Sequence, residues 1–113
     1  MTRFEDGPAA GQVLSLTRAP IFLRVVLAPD GKVDALDLLE DTPAQDEKLF
    51  AYQRVGEAGM MHVRRSGGRG GWYTVADYRL VKDQPAESDM RSNAAWAKWT
   101  GTIGARLFLP PQS

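Results

Sequence analysis

The sequence predicts an α+β domain that is mostly β: a strongly bent antiparallel sheet, or a small SH3-like barrel, of five to six strands with one C-terminal helix. Three observations predict it. Short runs rich in β-branched and aromatic residues recur at roughly ten-residue spacing, separated by Gly/Pro turns. Within several of these runs apolar residues alternate, the two-residue period of a strand. A single stretch near the end, SDMRSNAAWAKW, carries tryptophans at helical spacing instead. The chain has 113 residues, 43% of them apolar and 25% charged, which is the make-up of one ordinary globular domain. A fold of this size hides roughly 65% of its unfolded surface and stands without disulfide or metal staples. The expected organisation is one domain over 1–113: a turn segment at 1–11, a sheet over 12–82, a helix over 88–100 and a tail at 101–113.

Asp6-Gly7-Pro8 signals a turn into the first strand. No P-loop lysine and Ser/Thr follow, so this glycine loop lacks the parts of a phosphate cradle. Gln12 to Thr17 reads as the first strand, with Leu14 and Leu16 on one face, and Arg18-Ala19-Pro20 interrupts it. In Ile21 to Leu27, the expected central strand, Ile21, Leu23, Val25 and Leu27 share one face and Phe22, Arg24 and Val26 the other. Arg24 on that second face is expected to snorkel to water or to pair with a carboxylate. Pro29-Asp30-Gly31-Lys32 is a hairpin turn, and Val33 to Leu39 the return strand. Asp41 to Asp46 is loop by composition, with Pro43 blocking strand pairing. Leu49 to Val55 is a strand with Phe50, Tyr52 and Arg54 on one face, and Glu57-Ala58-Gly59 turns the chain again. Met60 to Val81 forms two strands about a glycine-rich tip, with Trp72, Thr74, Ala76, Tyr78 and Leu80 expected on the core face. Ser88 is the expected N-cap of the helix, whose Trp96 and Trp99, sharing one side with Ser92, dock on the sheet. The tail, apolar at its middle in ARLFL, has three expected uses: an edge strand, a cap on the core, or a partner contact.

Fourteen basic and fourteen acidic residues cancel, so no global field draws the chain to nucleic acid or an anionic membrane, and electrostatic arguments are local. With no cysteine there is no thiolate nucleophile and no Cys-based zinc site, and a reducing, cytoplasmic setting is expected. No apolar run approaches the ~20 residues that span a bilayer. The one histidine, His62, would have to serve any Ser-His-Asp set, and no nucleophile elbow supplies the serine. No enzyme activity, cofactor or transition-metal site is expected, while a carboxylate site for magnesium or calcium stays open. A hydrolase or metal-dependent enzyme built on His62 and nearby carboxylates is the weakest of three readings.

Binding chemistry concentrates in Met60 to Val81. Arg64, Arg65 and Arg69 carry planar fork donors for phosphate or carboxylate, the glycines between them bare the backbone amides, and Trp72 and Tyr73 offer flat faces for stacking. Asp77, the carboxylate nearest this tip in sequence, is a candidate anchor for one of the arginines, and His62 a pairing residue on the neighbouring strand. Against these stands an acidic patch, Asp34, Asp37, Glu40, Asp41, Asp46 and Glu47, six carboxylates in fourteen residues that do not follow the EF-hand spacing. Two opposed charged patches suit a protein interface, where charge sets specificity and association rate. Three arginines are few for a polyanion, because affinity grows with the number of phosphates neutralised.

The segments FEDGPAAG, RAPIFLRVV, Asp37 to Pro43 and GGWYTVADY together resemble a group of small uncharacterised bacterial and phage proteins, over Phe4 to Trp99. The group brings no assigned activity and no catalytic residues. The resemblance implies a compact protein that works by binding. The expected function is therefore a small non-enzymatic module that binds and regulates or inhibits a protein partner through charged patches. The alternative is a nucleic-acid-binding module using the Arg/Gly tip and its aromatics. The oligomeric state stays open.

Overall fold

The structure, a computed structural model, describes residues 1–16, 18–36, 42–63 and 70–108, apart from the side chains of Val63 and of 103–108. Of the expected site residues, Asp37, Glu40, Asp41, Arg64, Arg65 and Arg69 lie outside the described residues.

Seven strands are described: β1 (Thr2–Phe4), β2 (Val13–Leu14), β3 (Phe22–Leu27), β4 (Val33–Leu36), β5 (Lys48–Arg54), β6 (Gly59–Val63) and β7 (Gly71–Leu80), followed by helices α1 (Glu87–Arg91) and α2 (Asn93–Phe108). Six strands run β2-β1-β7-β5-β3-β4 and curl into a nearly closed barrel, while β6 lies off this path, paired to β7. The expected small α+β barrel is the observed fold, with one difference in sense. The segment read as an N-terminal turn supplies β1, which runs parallel to β7 through Thr2↔Ala76, Arg3↔Asp77 and Phe4↔Tyr78. Three residues are too few to show a period, and only a long-range partner makes them a strand.

The two faces of β3 explain why it is central. Leu23 and Val25 point into the barrel with Phe4, Ala9, Tyr52, Ala76 and Tyr78. Phe22 and Val26 point outward onto Met90 and Trp96 of the helices, together with Leu49 and Ala51. Both faces are therefore covered. Of the two expectations for Arg24, the one that takes it to water is overturned. Its side chain is 2% exposed, donates from Nη1 to the Met90 carbonyl at 2.9 Å, and lies 5.6 Å from the Trp96 ring centroid. Helix packing over this face leaves the stem no route to solvent. Trp96 and Trp99 dock as expected, stacked on each other at 5.1 Å with Trp99 edge-on to Phe22.

Two helices replace the expected one. The first begins after Ala86 rather than at Ser88, and Ser92 is extended, ending α1. Ser92 Oγ accepts the Ala95 N–H at 3.2 Å, so this serine caps the next helix instead of riding on its face. The second helix continues to Phe108, through most of the segment expected as a tail. Arg91 fastens α1 to the loop before β5, donating to the Glu47 and Ala44 carbonyls and pairing with Glu87 at 2.9 Å.

The barrel's N-terminal corner hangs on Tyr52. Its hydroxyl accepts the Ala9 N–H at 3.0 Å and donates to the Asp6 carbonyl at 2.8 Å, closing the 3-10 turn Gly7–Ala9 over the barrel mouth. Gly7 here has φ +71°, and a Cβ on it would stand 2.6 Å from the Tyr52 hydroxyl oxygen. Gly7→Ala is expected to cost about 2 kcal/mol, the left-handed backbone penalty plus displacement of that hydroxyl. Chemical denaturation checks it, and a loss under ~0.5 kcal/mol would refute the tight fit.

Candidate functional site

The turn expected at 57–59 is not a reversal. Strands β5 and β6 both run antiparallel to β7, through Tyr52↔Leu80, Gln53↔Arg79 and Arg54↔Tyr78 for the first and Gly59↔Val75 to Val63↔Gly71 for the second. The Val55 N–H also bonds the Asp77 carbonyl at 2.8 Å, so the chain stays on the same side of β7. Four residues, 55–58, face two on β7, with Gly56 at φ +70°; the excess is a bulge, which bends a strand without ending its course. Beyond it, 71–75 of β7 pair with β6 and lie past the strand pairs that build the barrel wall. On the other side the backbone of Met1 reaches this stretch, its nitrogen donating to the Thr74 carbonyl and its carbonyl accepting the Ala76 N–H. The result is a two-stranded arm whose β6, among the described residues, pairs with β7 alone.

The arm is apolar on both faces. Cross-strand partners share a face, so His62 with Trp72 and Met60 with Thr74 form one, and Met61 with Tyr73 forms the other. The exposures are 66% for Trp72, 61% for Met60, 41% for Tyr73 and 37% for Met61. The expectation that Trp72 belongs to the core is overturned. Its strand alternation is as read, with Ala76 and Tyr78 buried on that face, but Trp72 stands on the part of β7 that pairs with β6 rather than with β1 and β5. Alternation tells which residues share a face, not whether anything lies on it. His62 and Trp72 rest against each other with ring centroids 5.0 Å apart and planes tilted by 54°.

Asp77 contacts an arginine, but one in β1: Arg3 Nε lies 2.9 Å from Oδ1 and Nη2 donates to Oδ2 at 3.2 Å. This fork, with Arg79 on Glu5 at 3.0 Å, stitches the parallel β1–β7 seam from its solvent side. Both pairs are well exposed, so each contributes at most about 1 kcal/mol. Two of the described members of the acidic patch are occupied by backbone N–H groups. Asp34 lies on β4 and accepts the Ala35 N–H, Glu47 accepts the Ala44 N–H, and Asp46 is exposed in the turn between. Among the described residues no three His, Cys, Asp or Glu side chains gather to hold a metal ion, and no helix is long and apolar enough to cross a membrane. Set beside protein-family models, curated proteins and solved structures, the chain matches none of them.

Proposed function

We propose that this chain is a small non-enzymatic binding module that regulates or inhibits a protein partner, and that the β6–β7 arm is the element it presents. One observation carries this. Large apolar side chains stand exposed on both faces of a ribbon that the other described residues leave uncovered. Contiguous exposed apolar surface of this kind marks interaction sites, and Trp, Tyr and Met are enriched at protein interfaces. Arg64 follows β6 directly, so the basic tip of the sequence adjoins the apolar arm, which fits a partner surface with an apolar centre and an acidic rim. The resemblance to small bacterial and phage proteins accords with a regulator acting in the cytoplasm.

Capture from lysate with the wild type and with Trp72→Ala/Tyr73→Ala tests the reading. A specific partner is expected to drop out with the double variant, while thermal stability changes by less than about 1 kcal/mol, since both side chains are exposed. An unchanged set of partners removes the arm from the account. The exposed indole beside His62 favours the second reading, single-stranded nucleic acid stacked on Trp72. Titration of a labelled single strand at two salt concentrations separates the two. Binding that weakens with salt and is lost with an Arg64/Arg65/Arg69 triple alanine variant would favour nucleic acid.

A further inference from the structure

We infer that β6 is a self-pairing edge: two copies of this chain join their arms through antiparallel β6–β6 addition about a two-fold axis at Met61. The inference rests on the arm's being the contact element and names what lies against its edge.

The direction of the backbone groups comes first. On β7 the Thr74 carbonyl and the Ala76 N–H face Met1, and the Tyr78 carbonyl faces Glu5. Alternate residues of a strand direct their N–H and C=O to opposite sides, so Gly71, Tyr73 and Val75 face β6 and bond Val63, Met61 and Gly59. The N–H and C=O of Met60 and His62 therefore point away from β7, along the open edge. Two outward residues flanking one inward residue make a self-complementary set. When β6 meets a second β6 antiparallel with Met61 opposite Met61, Met60 of each copy lies opposite His62 of the other. All four outward N–H groups then find carbonyls.

The side chains agree with this register. Directly opposed residues share a face, so the four-stranded sheet carries a row Tyr73, Met61, Met61, Tyr73 on one side. On the other side Met60 of each copy lies next to the His62–Trp72 pair of its neighbour, a favourable thioether–aromatic contact. Strand addition extends both faces at once, which docking against one face of the arm cannot do. No residue of Gly59 to Val63 opposes it. Gly59 to Val63 contains no Lys, Arg, Asp, Glu or Pro, the residues that blunt sheet edges, whereas the edge strand β4 carries an exposed Asp34. Edge pairing buries the backbone edge and the flanks of Met60, Met61 and His62 while both faces of the sheet stay open, less than a standard stable interface, so weak association, on the order of 100 µM, is expected.

The full chain tests this by sedimentation velocity from about 10 µM to about 1 mM, a span that brackets such an affinity. The expected result is a mass that climbs towards that of two chains. Met61→Lys sets like charges opposite each other at the axis and is expected to weaken association at least tenfold, with circular dichroism unchanged. Because the chain has no cysteine, Met61→Cys supplies one thiol per copy. Across a non-hydrogen-bonded antiparallel pair the Cα atoms are roughly 4.5 Å apart, within disulfide range, so mild oxidation is expected to cross-link Met61→Cys well ahead of an exposed control, Gln12→Cys. A chain that stays monomeric throughout, a Met61→Lys variant that associates like wild type, or cross-linking no faster than the control each overturns the pairing. Monomeric behaviour together with partner capture that still depends on Trp72 and Tyr73 would overturn the self-pairing alone. A dimer whose partner capture ignores those residues would overturn the binding reading alone.

Discussion

Arg24→Ala is expected to lower the unfolding free energy by about 3 kcal/mol or more, the largest effect of any single change considered for this chain. The truncation opens a cavity between the outer face of β3 and the helices, removes the cation from beside the Trp96 ring, and leaves the Met90 carbonyl without its Nη1 donor. That carbonyl belongs to the last turn of α1, where a positive charge is also favoured by the helix dipole. Arg24→Met keeps most of the volume without the charge and is expected to lose about half as much, because a buried charge already carries a desolvation cost that the apolar side chain avoids. Urea denaturation followed by tryptophan fluorescence checks both. A loss under 1 kcal/mol for the alanine variant would mean that the helices hold to the barrel without this contact.

Tyr52→Phe is expected to cost about 3 kcal/mol, since it strips the Ala9 N–H, buried at 0% exposure, of its acceptor and the Asp6 carbonyl of its donor while leaving the ring in place. The same hydroxyl gives a pH signature. Burial pushes the phenol above its ordinary value of 10.0, the Asp6 charge adds to the rise, and the Ala9 N–H partly opposes it. Below that ordinary value both folded and unfolded chains hold the proton, and the hydrogen bonds contribute in full. Above it the unfolded chain releases the proton first, so stability falls as pH rises towards the higher folded value. The wild type is expected to lose stability faster than Tyr52→Phe in this alkaline window. Denaturation curves at matched pH values decide, and parallel slopes would contradict the assignment.

The arm and the core place opposite demands on similar residues. Tyr78 and Tyr52 each end in a backbone acceptor, at the Pro20 and Asp6 carbonyls, and both are fully buried. Trp72 and Tyr73, only a few positions from Tyr78 on the same strand, remain exposed. A single strand thus serves the barrel with one half and the surface with the other, and the bulge at 55–58 marks the division.

By itself the sequence determined the elements whose signal is local. The alternation in 21–27 sorts β3 into its two faces, Pro29-Asp30-Gly31 sets the hairpin into β4, and the spacing of Trp96 and Trp99 marks a helix that docks. It also made 60–81 two strands and concentrated the binding-type residues there. What tertiary structure decided is everything that depends on a distant partner. β1 is a strand because β7 lies beside it, Arg24 is buried because α1 and α2 close over it, and Glu57-Ala58-Gly59 continues along β7 because that strand is long enough to pair on both sides of the bulge. Trp72 shows the division most clearly. Its place in the alternation was legible from its neighbours, but its exposure depends on where the covering elements end, and no short-range pattern encodes that.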